Sequence, residues 1–214
     1  MADFRIERSL AAEGYRFIAG VDEVGRGALF GPVVAAAVIL PAEFISGKAP
    51  RWLRKTNDSK LIPSRRRVEL ERFILAEAES VGVGFCTNIE IDEKNIYWAS
   101  LEAMRRAVER MPRSPDFILV DGFELPGVST TQRAVPQGDG KSYSIAAASI
   151  VAKVLRDRMM DRYDRMYSSY ALGKNKGYGT RDHYKALDEL GPTPFHRKSF
   201  KLQSERKLFD GHRR

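Results

Sequence analysis

The sequence holds a single cysteine, Cys86, so no intrachain disulfide can form. Cys86 lies in the apolar run Val81-Gly82-Val83-Gly84-Phe85-Cys86 and reads as a core residue rather than a nucleophile. There is no HExxH pair and no Cys/His cluster, which excludes the common zinc sites. The three histidines, His183, His196 and His212, are scattered and read as surface or packing residues. Neither GxxxxGK[ST] nor GxGxxG occurs, which removes the P-loop and the dinucleotide fingerprint. The longest apolar run, Pro32 to Ala42, is too short to span a bilayer. The start, MADFRIER, has no basic region followed by an apolar stretch, so no secretory signal is read there. A cytoplasmic location without a membrane partner is expected. Internal repeats, low-complexity linkers and apolar heptads are also missing, so a monomer with one domain over 1–214 is expected.

What is present suits a folded enzyme-sized domain. The 214 residues are 43% hydrophobic and 30% charged, enough apolar content for a proper core. The net charge of +8 suits a polyanionic partner, and equally a solubilising basic surface. Strands are predicted over 15–22, 33–40, 81–89 and 115–121. Helices are predicted over 63–80, 92–110, 142–166 and 181–190. Val68, Leu70, Phe73, Ile74 and Leu75 mark the first, and Ile96, Leu101, Met104 and Val108 give the second one buried face. In the third, Ile145, Ala148, Val151, Ala152 and Leu155 face inward, and its small alanines allow close packing on a sheet. The mixed order of elements makes this an α/β chain. From Arg197 onward the chain is strongly basic.

Carboxylates at strand ends carry the chemistry. Asp22 and Glu23 close the first predicted strand, Asp121 closes "FILVD", and Asp139 sits in "PQGDGKS" before the longest helix. Taken alone, Asp121 is a polar residue where a strand meets solvent. Asp139 alone reads equally well as a favourable acid at a helix N-terminus. Together they resemble the hard-oxygen donor set that magnesium or manganese takes, with waters and substrate phosphate completing the shell. Such acids repel one another, and a bound cation offsets the repulsion. Gly25-Arg26-Gly27 follows directly, a loop whose backbone can approach a ligand closely.

These residues resemble the signature of the type 2 ribonucleases H, specifically the ribonuclease HII family. The match begins with "GVDEVGRGALFGPVVAAAVIL" and continues through "NDSKLIPSRRRVEL", "IDEKNIYWASLEAMRRAV" and "ILVDG". It runs on through "GDGKSYSIAAASIVAKVLRDRMM", "NKGYGTRDHYKAL" and "HRKSF", covering about residues 16 to 200. The resemblance implies a ribonuclease H-like fold. That is a mixed five-stranded central sheet flanked by helices, a core over about 16–170, and a helical, basic C-terminal region over about 171–214. It implies that Asp22, Glu23, Asp121 and Asp139 hold two divalent cations, Mn2+ or Mg2+, for phosphodiester hydrolysis. The implied substrates are RNA/DNA hybrids and DNA containing ribonucleotides. Cleavage would fall 5′ of the ribonucleotide and leave 5′-phosphate and 3′-hydroxyl ends. Gly25, Arg26 and Gly27 are implied to read the ribose 2′-hydroxyl, and Tyr178 the sugar after the junction. Without the resemblance, Tyr178 reads as the anchor of a turn.

Lys60, in "DSK", is a candidate phosphate contact by its motif, and Lys141 and Lys176 are weaker ones. The basic tail from Arg197 could grip a duplex electrostatically or serve only as a solubilising tail. Two departures stand out. Gln137 replaces the family's usual lysine before "GD", and Lys201-Leu202 follows "SF" where Pro-Val is common. The GRG loop and the absence of a preceding domain separate the sequence from the sister ribonuclease HIII pattern. A metal-free nucleic-acid-binding module and a junction resolvase of the same fold are the competing readings.

Overall fold

The structure, a computed structural model, describes residues 2–56 and 62–202. Lys60 and the end of the chain from residue 203, with His212, lie outside the described residues. In chain order the regular elements are α1 (Arg5–Ala12), β1 (Ile18–Val24), β2 (Val33–Ile39), α2 (Ala42–Ser46), α3 (Ser64–Glu77), β3 (Ser80–Cys86) and α4 (Asn88–Glu109). There follow β4 (Phe117–Asp121), β5 (Thr131–Val135), α5 (Tyr143–Met166), α6 (Leu172–Asn175) and α7 (Arg181–Leu190). The strands form one sheet in the order β3-β2-β1-β4-β5. β1 pairs antiparallel with β2, and β2 with β3. β1 pairs parallel with β4, and β4 with β5, so the sheet is mixed.

The sheet is covered on both faces, and β2 shows why its sequence is apolar throughout. Ala36, Val38 and Leu40 pack with Ala147, Ala148, Val151 and Ala152 of α5. Their neighbours Ala35, Ala37 and Ile39 pack with Ala103, Met104 and Ala107 of α4. Alternate residues of a strand point to opposite faces, so a central strand between two helical layers needs a continuous apolar run. The α5 layer lies very close to β1. A Cβ at Gly20 would stand 2.1 Å from the Ser144 carbonyl carbon, so only glycine lets α5 cross there. Ser142 caps α5 by accepting a hydrogen bond from the Ile145 N–H.

Several boundaries differ from the sequence expectation. β1 runs to Val24, so Asp22 and Glu23 lie within the strand, paired opposite Ala36 and Ala35, rather than closing it. The third strand stops at Cys86 instead of reaching Ile89, because Thr87 and Glu90 form a capping box that starts α4 four residues earlier than expected. Ile89 is accordingly 63% exposed. In α3, Leu70 and Ile74 are buried, but Leu75 is exposed, and Phe73 lies near the surface stacked on Trp52. α1 and β5 have no counterpart in the pattern-based reading. β5 is a sheet-edge strand of sequence TQRAV, largely exposed, so the apolar signal of a strand is absent. Cys86 is fully buried, as expected, and burial pushes its thiol up to about 11.

Candidate active site

Parallel strands β1 and β4 end side by side, and a cleft of about 660 Å³ opens there. Asp22 and Glu23 of β1, Asp121 at the end of β4, and Asp139 in the 3-10 turn Gly138–Gly140 all line it. Asp22 is 5% exposed, and its Oδ1 accepts the Glu23 N–H at 2.7 Å. Burial holds the Asp22 carboxyl well above the usual carboxylate range, and the nearby Glu23 and Asp121 charges push it further. Glu23 is also raised, first by burial and then by Asp121, while Arg26 opposes the shift through a 3.2 Å ion pair. Asp121 Oδ1 accepts the Gly138 N–H at 2.7 Å, which ties the end of β4 to the turn carrying Asp139.

The acids therefore face one cleft at an energetic cost to each other. Among the described residues, no three acidic, histidine or cysteine side chains are already drawn together as a metal cage. The donor set nonetheless fits a hard divalent cation. It offers only carboxylate oxygens, and two of its members are held above their usual proton affinity by burial and mutual repulsion. A magnesium- or manganese-type ion keeps several waters, so a wide cleft with a few carboxylates suits it better than a closed cage.

The N-terminal segment grips the Asp139 turn from outside. Glu7 of α1 is fully buried, and its Oε1 accepts from Ser142 Oγ at 2.7 Å and from the Ser144 N–H at 3.1 Å. The Asp3 N–H donates to the Lys141 carbonyl, and the Tyr143 N–H to the Asp3 carbonyl. Lys141 itself donates to the Pro136 carbonyl, and Lys176 pairs with Asp161, so both cations have protein partners. On the α5 wall of the cleft, Lys153 pairs with Asp157, which also meets Arg67 at 3.4 Å.

Gly25, Arg26 and Gly27 line the same cleft, and Tyr178 stands with them. The loop is shaped by two buried arginines. Arg156 of α5 donates to the carbonyls of Pro32 at 3.1 Å, Lys176 at 2.8 Å and Phe30 at 3.1 Å. Its guanidinium lies 5.5 Å from the centre of the Tyr178 ring. Gly25 has φ +95°, and a Cβ there would stand 2.2 Å from Arg156 Nε, so glycine is required twice over. Arg197 donates to the carbonyls of Gly31 at 2.9 Å and Arg26 at 2.8 Å. Burial, and then Arg156, pull the Arg197 guanidinium down to about 9. At Gly27 an added Cβ would meet nothing within 4 Å, so the outer turn of the loop faces open space.

Backbone bridges join the loop to two later segments. Ala28 bridges to Tyr178 and Phe30 to His196, and the Leu29 N–H donates to the Gly177 carbonyl at 2.8 Å. His183 and His196 are fully buried, and their Nε2 atoms are 3.0 Å apart. His196 Nδ1 accepts the Thr193 N–H at 2.9 Å, so its Nε2 carries the proton. His183 Nε2 then accepts, and its Nδ1 donates to the Tyr178 carbonyl at 3.0 Å. The neutral pair links the HRKSF segment to the residue beside the loop.

Sequence reasoning missed Arg156, Arg197, Glu7 and the histidine pair as builders of the site. Arg197 belongs to the core and not to a basic tail, and two of the three histidines meet one another. The only sequence signal was the "HRKSF" segment itself, and composition alone counts Arg197 as one more surface charge.

A family model described as Ribonuclease HII matches residues 19–203. The chain is 48% identical over 194 residues to ribonuclease HII of Bacillus licheniformis, covering 91% of this chain and 73% of that protein. It is 50% identical over 202 residues to ribonuclease HII of Lactobacillus delbrueckii subsp. bulgaricus, covering 94% and 75%. The fold is similar to the crystal structure of ribonuclease H2 from Pyrococcus horikoshii, with a TM-score of 0.72 and 25% identity over 92% of this chain and 99% of that one. The chain belongs to the ribonuclease HII family, metal-dependent endonucleases that cut the RNA strand of RNA/DNA hybrids.

Proposed function

We propose that the cleft cuts both RNA/DNA hybrids and duplex DNA carrying a single ribonucleotide, 5′ of the ribonucleotide, leaving 5′-phosphate and 3′-hydroxyl ends. In this reading Asp22, Glu23, Asp121 and Asp139 hold two divalent cations, Mn2+ or Mg2+, and the protein acts as a cytoplasmic monomer built as one catalytic domain. The observation that carries the reading is that the four acids, Gly25-Arg26-Gly27 and Tyr178 all line one cleft. When bound, the cations supply an activated water and neutralise charge on the leaving 3′ oxygen.

The chain's own residues do the rest. Asp22 and Glu23, fixed by strand pairing and burial, and Asp121, tied to Gly138, give the donor set a rigid frame. Gly27, exposed and with open space where a Cβ would stand, leaves backbone uncovered where a ribose can approach, while Gly25 lets Arg156 pack behind the loop. A 2′-hydroxyl is the group that separates RNA from DNA at one position. Arg26 keeps its side chain on Glu23 and its carbonyl on Arg197, which leaves its N–H rather than its guanidinium for the sugar. Tyr178 offers an aromatic face on the other side of the junction. No helix among the described residues is long and apolar enough to cross a membrane.

The test is Asp22→Asn. Turnover of an RNA/DNA hybrid in Mn2+ or Mg2+ should fall by on the order of 10³-fold while circular dichroism stays unchanged. Near-normal turnover, with host nuclease excluded, would remove the assignment.

A further inference from the structure

Three large aromatic side chains stand on the surface together. Tyr97, Trp98 and Phe123 are 37%, 51% and 53% exposed. The Tyr97 ring meets Trp98 at 5.2 Å and Phe123 at 5.5 Å, edge to face in both cases. Leaving such rings in water forgoes the stabilisation of burial, and a contiguous aromatic patch of this kind marks a contact surface.

Local backbone geometry presents them. Asn95 interrupts α4 with φ 66° and ψ 164°, a conformation uncommon for a residue with a side chain. Its Oδ1 accepts the N–H groups of Tyr97 at 2.9 Å and Trp98 at 3.3 Å, so it caps a helix that restarts at the aromatic pair. Ala99, Leu101 and Met104 follow in the same helix and are buried in the core.

The patch adjoins the cleft. Phe123 is two residues beyond Asp121, Gly122 turns the chain there with φ +82°, and the Phe123 N–H donates to the Asp121 carbonyl at 3.2 Å. The first turns of α4 are pinned to the segment that shapes the glycine loop. Asp92 accepts from the Lys198 and Ser199 N–H groups, and Asn88 donates to the Pro194 carbonyl. Beside Trp98 runs a groove of about 170 Å³ lined also by exposed Lys94 and by the half-buried ion pair of Arg105 with Glu102.

We propose that Tyr97, Trp98 and Phe123 form a shelf for the sugar–phosphate backbone of the bound duplex, beyond the Asp121 side of the cleft. The apolar faces of successive sugars would pack on the rings, and Lys94 would meet a phosphate. Continuity with the cleft and the net charge of +8 favour a polynucleotide as the occupant over a protein. The inference rests on the cleft being the nuclease site, and its test separates the two.

Steady-state cleavage of a ribonucleotide-containing duplex is measured for the wild type and for Trp98→Ala/Phe123→Ala. KM should rise about tenfold, with kcat changed by less than about twofold and the dependence on Mn2+ unaltered. In the wild-type protein, emission from Trp98 should be quenched as duplex is added, since the other tryptophan, Trp52, is buried in a different part of the core. This second readout needs no variant to fold. If the wild type cuts the duplex but the double variant keeps its KM and the emission does not move, the shelf is overturned. If the wild type does not cut, it is the reading of the cleft that fails.

Discussion

In the proposed reading, the working atoms at the acidic wall of the cleft belong to side chains, and those at the glycine loop belong to the backbone. The first wall is assembled by strand pairing. β1 and β4 lie side by side and the carboxylates follow from their register, at the cost of mutual repulsion. The second wall has no regular structure of its own. Arg156 and Arg197 hold it by five hydrogen bonds to main-chain carbonyls, four of them within the loop and its exit at Arg26, Phe30, Gly31 and Pro32. One wall can lose a functional group and keep its shape. The other should lose its shape when a buried guanidinium behind the loop is removed.

That difference is broken most severely by Arg197→Met. The substitution strips donors from the Gly31 and Arg26 carbonyls in a buried setting, and each such loss costs about 1–3 kcal/mol. Stability to denaturant should fall by about 3 kcal/mol, and the preference for a ribonucleotide-containing duplex over plain DNA should shrink, while Mn2+ affinity stays close to that of the wild type. Asp22→Asn should show the reverse pattern, with turnover lost and stability kept. An Arg197→Met protein that discriminates like the wild type would mean that the loop holds its shape without the guanidinium.

The two walls should also answer pH in opposite directions. Burial, with His183 beside it, pulls His196 from its ordinary 6.5 down to about 4. The unfolded chain then binds the proton more readily, so this contribution is complete above about pH 6.5 and is lost as the pH falls towards 4, on the order of 3 kcal/mol in all. Asp22 and Glu23 are raised instead, so in metal-free protein their contribution is complete at low pH and is lost as the pH rises through their raised values. Urea unfolding across a pH series, with and without His196→Gln or Asp22→Asn, reads both slopes. A wild-type stability flat in both directions would contradict the account.

A smaller effect should separate the anchor of the Asp139 turn from the rest of α1. Glu7→Ala leaves Ser142 Oγ and the Ser144 N–H without their carboxylate, whereas Arg8→Ala removes only the ties to the Ile45 and Gly47 carbonyls. Isothermal titration with Mn2+ should show affinity weakened about tenfold in Glu7→Ala and unchanged in Arg8→Ala. Equal losses in both would make α1 a general prop for the fold.

The acidic wall was largely legible in the sequence because its signals are local. An apolar run that fits a buried strand leads into Asp22-Glu23, another leads into Asp121, and the long alanine-rich helix follows Asp139 closely. Even so, the acids proved to lie inside β1 and not at its end, since pairing with β2 continues past them. β5 was invisible to pattern because an exposed edge strand has no apolar face to show. The loop's scaffold was illegible for a different reason. Arg26 and Arg197 are joined by a hydrogen bond across 171 positions, and charge counts cannot tell a guanidinium among carbonyls from one in water.

The most direct measurement uses a labelled DNA duplex with one embedded ribonucleotide beside an all-DNA duplex of the same sequence, in Mn2+, Mg2+ or EDTA. The account predicts a single cut, 5′ of the ribonucleotide, only with metal, and none in the all-DNA duplex. Cleavage in EDTA, equal cleavage of both duplexes, or no cleavage in either metal would contradict it.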